Sequence, residues 1–146
     1  MTPTPDPQTS LADLDMLQQA LGHVFAPWVR GLDLRVVEAR AGEVTVTLPV
    51  TPLHVHEGGV LCGQTVMAAC DTAMVLAVMT RLGGFKPMTT VQLQTSFLRP
   101  VSGASGSVRV VARVLRMGKK LVFGEMQVIS ADDELAAHAT TTYSLL

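Results

Sequence analysis

The sequence predicts an α+β fold in which an antiparallel sheet of about five to six strands wraps around one long central helix. Residues 61–82 form an almost wholly apolar run that is too long for a single strand. Strand-like segments flank this run, two before it and four after it. Because an apolar helix needs cover on nearly all of its sides, a sheet curved around it is the simplest arrangement.

The N-terminal part predicts an arm followed by a helix. Met1–Thr9 contains three prolines and no apolar pattern, so we expect a disordered arm followed by one domain over residues 10–146. Ser10 is a candidate N-cap, and apolar residues recur at helical spacing after it. We expect Pro27 to end or bend this helix.

The remaining elements follow from alternation and glycine stops. Leu32–Arg40 and Glu43–Val50 are predicted strands joined by a tight Ala-Gly turn, and the second alternates apolar with polar residues. The long helix is predicted over Leu61–Leu82, where a Gly-Gly pair stops it. The four later strands are predicted over Thr89–Leu98, Ser105–Arg116, Leu121–Ser130 and Glu134–Ser144.

Composition narrows the class of protein. With 146 residues, 48% of them hydrophobic and 16% charged, the chain fits one globular domain. A net charge of −1 and an aromatic content of 4% give no reason to expect nucleic acid as a partner. A mean hydropathy of +0.36 is high for a small monomer and predicts a buried interface between copies of the chain.

Location is predicted from the thiols and the N-terminus. Cys62 and Cys70 are separated by about 12 Å of helix rise, too far for a disulfide, so both are expected to be free thiols in a reducing cytoplasm. The N-terminus lacks the positive charge of a leader peptide. Residues 60–79 are long enough to span a bilayer, but Asp71 would cost roughly 2.5–3.5 kcal/mol at its centre, so no membrane is expected.

Asp71 is the most informative residue for function. It lies in the middle of the apolar run, where a carboxylate is costly unless it is paired or used. A glycine-rich stretch over residues 54–63 opens the run. Together these features predict a catalytic acid near a helix start that can bind an oxyanion.

Residues 54–100 resemble the hotdog-fold thioesterases, specifically the PaaI-like acyl-CoA thioesterase branch. The pattern of that branch reads roughly H-x-N-x-x-G-x-x-H-G-G-x-x-x-x-L-x-D-x-A. Residues 90–100 resemble its strand after the helix, and residues 116–120 its basic hairpin. The matching residues are His54-Val-His56, Gly59, Cys62-Gly63-Gln64 and Ala69-Cys-Asp71-Thr-Ala73. Three of them depart from the pattern: His56 replaces Asn, Cys62 replaces His and Gln64 replaces Gly.

The resemblance implies hydrolysis of acyl-CoA thioesters, with coenzyme A as part of the substrate and neither a metal nor another cofactor. It implies that the Gly63 N–H polarises the thioester carbonyl and that Asp71 is the general base or the nucleophile. His56 and Thr90 match positions that hold substrate or water. Gln64 and Cys62 are candidate substrate contacts, and the basic residues that could meet the phosphates are Arg99, Arg116, Lys119 and Lys120.

The spacing of Gly63 and Asp71 has a geometric consequence. About 12 Å of helix rise separates them, and an aspartate side chain cannot span that distance. If both act on one thioester, the site must combine Gly63 from one subunit with Asp71 from another. We therefore predict a homodimer, with a dimer of dimers as the next assembly to consider.

Each of these residues also has a structural interpretation. Asp71 could be a structural acid, Gly63 a packing position, Thr90 an ordinary strand residue and Gln64 a helix cap. His56 and the basic hairpin could simply face solvent, and Cys62 could be a small buried side chain rather than a nucleophile. The departures at Cys62 and Gln64 leave a non-catalytic acyl-CoA-binding domain, a sensor or scaffold, as the alternative function. A hotdog hydratase is disfavoured because no histidine follows Asp71 before His138.

Overall fold

The computed structural model of the protein describes residues 11–146, so the predicted arm lies outside the described residues. Two helices, two strands and a short 3-10 helix precede the long helix, and four strands follow it. The elements are α1 (Leu11–His23), α2 (Pro27–Arg30), β1 (Arg35–Arg40), β2 (Glu43–Pro49), a 3-10 helix (Pro52–His54), α3 (Gly63–Leu82), β3 (Met88–Phe97), β4 (Ser107–Met117), β5 (Leu121–Ile129) and β6 (Leu135–Leu145).

The six described strands form one antiparallel sheet in the order β1-β2-β4-β5-β6-β3. The four later strands begin and end within two residues of their predicted limits. Apolar side chains that alternate along β2, β4 and β5 are buried against α3. The predicted fold class, a sheet around a long central helix, is therefore confirmed.

Helix α3 begins two residues later than predicted and ends where predicted. Leu61 forms an isolated antiparallel bridge instead of joining the helix, and its N–H donates to the Val101 carbonyl at 2.9 Å. Cys62 is also extended, so the helix starts at Gly63. At the other end Gly83 takes a left-handed conformation with φ 78° and donates to the Met79 carbonyl, which satisfies one terminal acceptor.

The described chain near Pro27 differs from the expectation. Helix α1 has already ended at His23, and Pro27 begins the separate short helix α2. Proline suits the first position of a helix because its fixed φ is helical and the N–H it lacks would have no partner there. This corner brings Phe25 and Trp28 toward the middle of α3.

The apolar length of α3 is explained by burial beneath the sheet. By length and composition alone Gly63–Leu82 could cross a membrane, but 67% of its most apolar window is buried inside the fold. Met74, Leu76 and Val78 are inaccessible to solvent. Such a helix is the core of the domain, and the sheet supplies the cover that its sequence requires.

The two edges of the sheet differ in character. Strand β1 is six residues long and carries Arg35, Glu38 and Arg40. Strand β3 is ten residues long and carries no charged residue. Charged side chains discourage pairing of an exposed edge with another chain, so β3 is the unprotected edge.

Gly124 on β5 is expected to be essential for packing the middle of α3 against the sheet. A Cβ at this position would overlap the Met74 side chain and would lie 2.9 Å from the Arg113 carbonyl oxygen. We expect Gly124→Ala to lower the free energy of unfolding by about 1–3 kcal/mol, because an overpacked core forces its neighbours to move. Urea denaturation provides the measurement.

The matched control is Gly22→Ala in α1, where a Cβ would have no neighbour within 4 Å. Alanine is the better helix former, so this substitution is expected to leave stability unchanged or to raise it by up to about 1 kcal/mol. Equal effects of the two substitutions would contradict the packing role of Gly124.

Candidate active site

Asp71 lies in the middle of α3 and is held by the sheet. Its Oδ1 accepts a hydrogen bond from the Thr90 hydroxyl at 2.9 Å and another from the Tyr143 hydroxyl. The Tyr143 hydroxyl also donates to the Asp71 backbone carbonyl at 2.7 Å. Among residues 11–146, no group donates a hydrogen bond to Oδ2. The carboxylate is therefore fixed through one oxygen, and its other oxygen has no partner within the described chain.

Tyr143 was not among the predicted site residues. It is the single tyrosine of the chain and lies on β6, directly opposite Thr90 of β3. Burial, and then the negative charge of Asp71, raise the pKa of its phenol above the ordinary value, so Tyr143 remains a donor to the carboxylate. A lone tyrosine in a strand with one buried face could have signalled this, because its hydroxyl must find a partner once buried.

A cavity of about 350 Å³ opens beside Asp71. Thr72 and Val75 of α3 form one wall, and Phe25 and Trp28 from the α1–α2 corner form another. Thr90 also lines the cavity. The predicted site residues Asp71 and Thr90 therefore lie at the same cavity. The space is next to the carboxylate and combines aromatic and aliphatic side chains with several threonine hydroxyls. Its apolar part suits an acyl group.

Gly63 lies at the first turn of α3, where helix N–H groups have no intrahelical partner. A second cavity of about 340 Å³ lies against it, lined also by Val60, Phe97 and Arg99. The Phe97 ring covers one face of Gly63, since a Cβ on this residue would lie 3.2 Å from the Phe97 Cζ. Asp71 is not part of this lining, so within one copy Gly63 and Asp71 serve two separate cavities.

His56 is oriented by the backbone of its own loop. Its Nδ1 accepts a hydrogen bond from the Gly58 N–H at 2.9 Å, so the neutral ring carries its proton on Nε2. A Cβ on Gly58 would lie 2.6 Å from the His56 Cε1, which is why glycine is needed there. The ring is exposed and lines neither cavity, so its predicted contact with substrate or water stays a prediction.

A hydrogen-bonded chain of three side chains lies at the start of α3. The Cys62 Sγ is 3.0 Å from the Thr65 Oγ1, which is 3.4 Å from the His54 Nδ1. Sequence reasoning did not connect these residues, because the link runs from the loop to the helix through threonine. Cys62 is half-buried. The His54 side chain is linked to its thiol through the Thr65 hydroxyl, while the Cys62 N–H donates to the His54 carbonyl at 2.8 Å.

The predicted phosphate contacts lie in two places. Arg99 lines the Gly63 cavity and forms an exposed ion pair with Glu134 at 3.5 Å. Arg116 lies near the end of β4, and Lys119 and Lys120 lie in the turn that follows it. The Lys120 carbonyl accepts from the N–H of Leu145, which is paired with Met88 at the start of β3. Within the described chain, none of the ion pairs includes these three basic residues.

Gln64 is exposed and lines neither cavity, so the structure does not bring it to Asp71 within one copy. Both cysteines are free thiols. Across residues 11–146, no group of three or more histidine, cysteine, aspartate or glutamate side chains is arranged to hold a metal ion.

The chain is similar to known proteins over most of its length. Residues 58–137 match the family model described as the thioesterase superfamily. A provisionally named esterase of Thermoplasma volcanium is 33% identical over 106 residues, which cover 73% of this chain and 77% of that protein.

Solved structures share the fold. The thioesterase from Haemophilus influenzae superposes with a TM-score of 0.80 at 22% identity, covering 91% of this chain and 90% of its own. The phenylacetic acid degradation protein PaaI from Thermus thermophilus superposes with a TM-score of 0.70 at 25% identity, covering 83% of this chain and all of its own. These findings confirm the resemblance seen in the sequence.

The buried groups around Asp71 predict a loss of stability at alkaline pH. Burial, and then the Asp71 charge, raise the pKa of the Cys70 thiol from 9.0 to about 12, and the Tyr143 pKa is raised as well. The unfolded chain therefore loses these protons at a lower pH than the folded chain does. Their contribution to the free energy of unfolding is fully present below pH 9 and falls as the pH rises toward 12. Urea midpoints across this range measure the fall.

Cys70→Ala removes one of these two groups. Its stability is expected to fall less steeply above pH 9 than that of the wild type, by up to about 1.4 kcal/mol per pH unit. The comparison uses slopes, so the constant cost of the smaller side chain cancels. Parallel curves for the two proteins would show that the Cys70 thiol is not protected by the fold.

Proposed function

The chain belongs to the thioesterase superfamily, and from this premise we propose that it hydrolyses acyl-CoA thioesters to a free acid and coenzyme A. The observation that carries the proposal is the anchored carboxylate of Asp71 beside a cavity with an aromatic wall. Two hydroxyl donors fix Oδ1, and Oδ2 is left to act on water or on the thioester. An acid with a merely structural role would have no need of the cavity.

In the proposed reaction, Oδ2 removes a proton from water while the water oxygen attacks the thioester carbonyl carbon. The carbonyl oxygen becomes an oxyanion, which accepts a hydrogen bond from the Gly63 N–H at the start of α3. Collapse of this intermediate breaks the carbon–sulfur bond, and coenzyme A leaves as a thiol with the proton that Asp71 took. Direct attack by Oδ2 on the carbonyl carbon would instead break the carbon–sulfur bond and form a mixed anhydride, with coenzyme A leaving as a thiolate. Water then opens the anhydride to the free acid and restores Asp71, and the proton released neutralises the thiolate.

Both residues can act on one thioester only in a dimer, and the β3 edge supports such a dimer. This strand is long, uncharged and without a neighbour on its outer side among the described elements. Val91, Phe97 and Leu98 expose more than half of their surface there or directly after it. Pairing of two β3 strands would cover these apolar side chains and complete the hydrogen bonding of the edge.

Antiparallel pairing about the middle of β3 would bring the two cavities together. The Phe97 end of one strand would then lie beside the Met88 end of its partner. Phe97 lines the Gly63 cavity and Met88 lines the Asp71 cavity. Each composite site would combine the Gly63 of one subunit with the Asp71 of the other.

Coenzyme A carries phosphates, and the same pairing would place basic residues from both subunits near one site. Arg99 follows the Phe97 end of β3 in one subunit. In the other subunit, the turn containing Lys119 and Lys120 lies near the Met88 end of β3. Two strand spacings, about 10 Å, separate this turn from β3. These cations are the proposed phosphate contacts, together with Arg116.

A non-catalytic acyl-CoA-binding domain is the second candidate, and the Phe97 ring favours it. The ring packs against Gly63 on the side where a Cβ would lie. If the ring also closes the approach to the Gly63 N–H when substrate binds, that N–H cannot stabilise an oxyanion. This protein would then bind acyl-CoA without turnover.

Asp71→Asn tests the proposed function. We expect hydrolysis of acyl-CoA to fall by about 10²–10⁴-fold, because asparagine cannot remove a proton from water. Stability should be nearly unchanged, since the asparagine oxygen still accepts from Thr90 and Tyr143. Release of free thiol from a panel of acyl-CoA thioesters measures activity. Binding without turnover by the wild type would favour the second candidate.

Gly63→Pro tests the oxyanion contact and the shared site together. Proline is favourable at the first position of a helix, and the extended conformation of Cys62 is compatible with a following proline. The substitution removes the Gly63 N–H and sets the proline ring against Phe97, whose ring must shift by a few tenths of an ångström. We expect a loss of about 10²–10³-fold. A heterodimer of Gly63→Pro and Asp71→Asn subunits, isolated with two tags, should regain activity through one intact site. A heterodimer as inactive as its parents would exclude the shared site.

Val91→Lys is expected to weaken the proposed dimer. Val91 is 60% exposed and lies at a bulge of β3, where a lysine would bring charge to the interface. Val37→Lys is the matched control, because Val37 is 45% exposed at a bulge of the other edge strand, β1. Sedimentation measures the mass. Dissociation by Val37→Lys but not by Val91→Lys would place the interface on the other edge.

A further inference from the structure

The cavity beside Asp71 supports an inference about substrate selection that rests on the proposed function. We propose that it holds the acyl group and selects uncharged acyl groups over those that end in a carboxylate. The selecting features are the aromatic wall and the charge of Asp71 itself.

The wall of the cavity is built from three separate parts of the chain. The α1–α2 corner contributes Phe25 and Trp28, the loop after α3 contributes Phe85, and α3 contributes Val75. These side chains offer apolar surface and no hydrogen-bonding group except the indole N–H of Trp28. An acyl chain or ring gains free energy by leaving water for such a wall.

The exclusion of dicarboxylic acyl groups follows from charge. Asp71 is the single charged side chain in the lining, and the lining contains no lysine, arginine or histidine. Arg30 and Lys86 are close in sequence to lining residues, and Lys119 and Lys120 lie on the turn near Met88, but none of the four lines the cavity. A carboxylate at the far end of an acyl group would find no cation in this lining and would face a like charge.

Trp28 makes the occupancy of this cavity measurable without turnover. It is the single tryptophan of the chain and is 68% exposed. An acyl group in the cavity would displace water from the indole and shift its fluorescence emission. Binding can therefore be followed with coenzyme A thioethers, which lack the carbonyl and cannot be hydrolysed.

The experiment titrates the full-length protein with S-hexyl-CoA and with S-(5-carboxypentyl)-CoA, two probes that differ in the terminal carboxylate. We expect S-hexyl-CoA to shift the Trp28 emission and to bind at least about tenfold more tightly than its carboxylate counterpart. Hydrolysis of the corresponding hexanoyl and adipoyl thioesters is measured in parallel.

Phe85→Arg reverses the charge argument while keeping the fluorescent reporter. Phe85 is 47% exposed in a loop, so arginine is tolerated there, and it would give the terminal carboxylate a partner. We expect the preference for S-hexyl-CoA to shrink by at least about tenfold. Leu53→Arg is the matched control, since Leu53 is 81% exposed and lines neither cavity. It adds the same charge and should leave the preference unchanged.

The outcomes separate this inference from the proposed function. Selective binding without hydrolysis would support the acyl cavity and overturn the thioesterase. Hydrolysis of hexanoyl and adipoyl thioesters at equal rates would leave the thioesterase standing and overturn the selection. Hydrolysis with no change in Trp28 fluorescence would also overturn the cavity assignment, and the absence of both binding and hydrolysis would overturn both proposals.

Discussion

The carboxylate of Asp71 is the constraint around which the rest of the structure is arranged. An aspartate in the middle of an apolar helix must be satisfied by the elements that cover that helix. Thr90 and Tyr143, on two adjacent strands, donate to it from the sheet. These bonds fix how α3 lies against β3 and β6, and they also leave a reactive oxygen beside a cavity. The same contacts therefore serve the fold and the proposed chemistry.

The length of the helix imposes the second constraint. Its first turn and its central acid are about 12 Å apart, and each faces its own cavity in the single chain. One uncharged sheet edge runs past both cavities. A fold that separates two groups of the proposed site and leaves that edge uncovered suits the proposed pairing of two copies. Such a pairing would bury apolar surface, which would account for the high mean hydropathy of so small a chain.

The departures from the family pattern are concentrated at the start of α3. The Cys62 thiol joins a chain through Thr65 to His54, and His56 folds over Gly58. The acid of the family pattern is retained at Asp71, while residues near the proposed oxyanion contact differ from the pattern. A change of substrate or a loss of turnover would therefore be expected to arise at the start of α3.

The order of the main elements, the limits of most strands and the unusual position of a carboxylate at Asp71 were readable from the sequence. Alternation and glycine stops act over a few neighbouring residues, so local patterns carry that information. The sequence did not reveal Tyr143, 72 residues beyond Asp71, or the cavity wall formed by Phe25, Trp28 and Phe85. These residues meet only because the sheet closes around the helix, and contacts between distant segments leave no periodic signal in the chain.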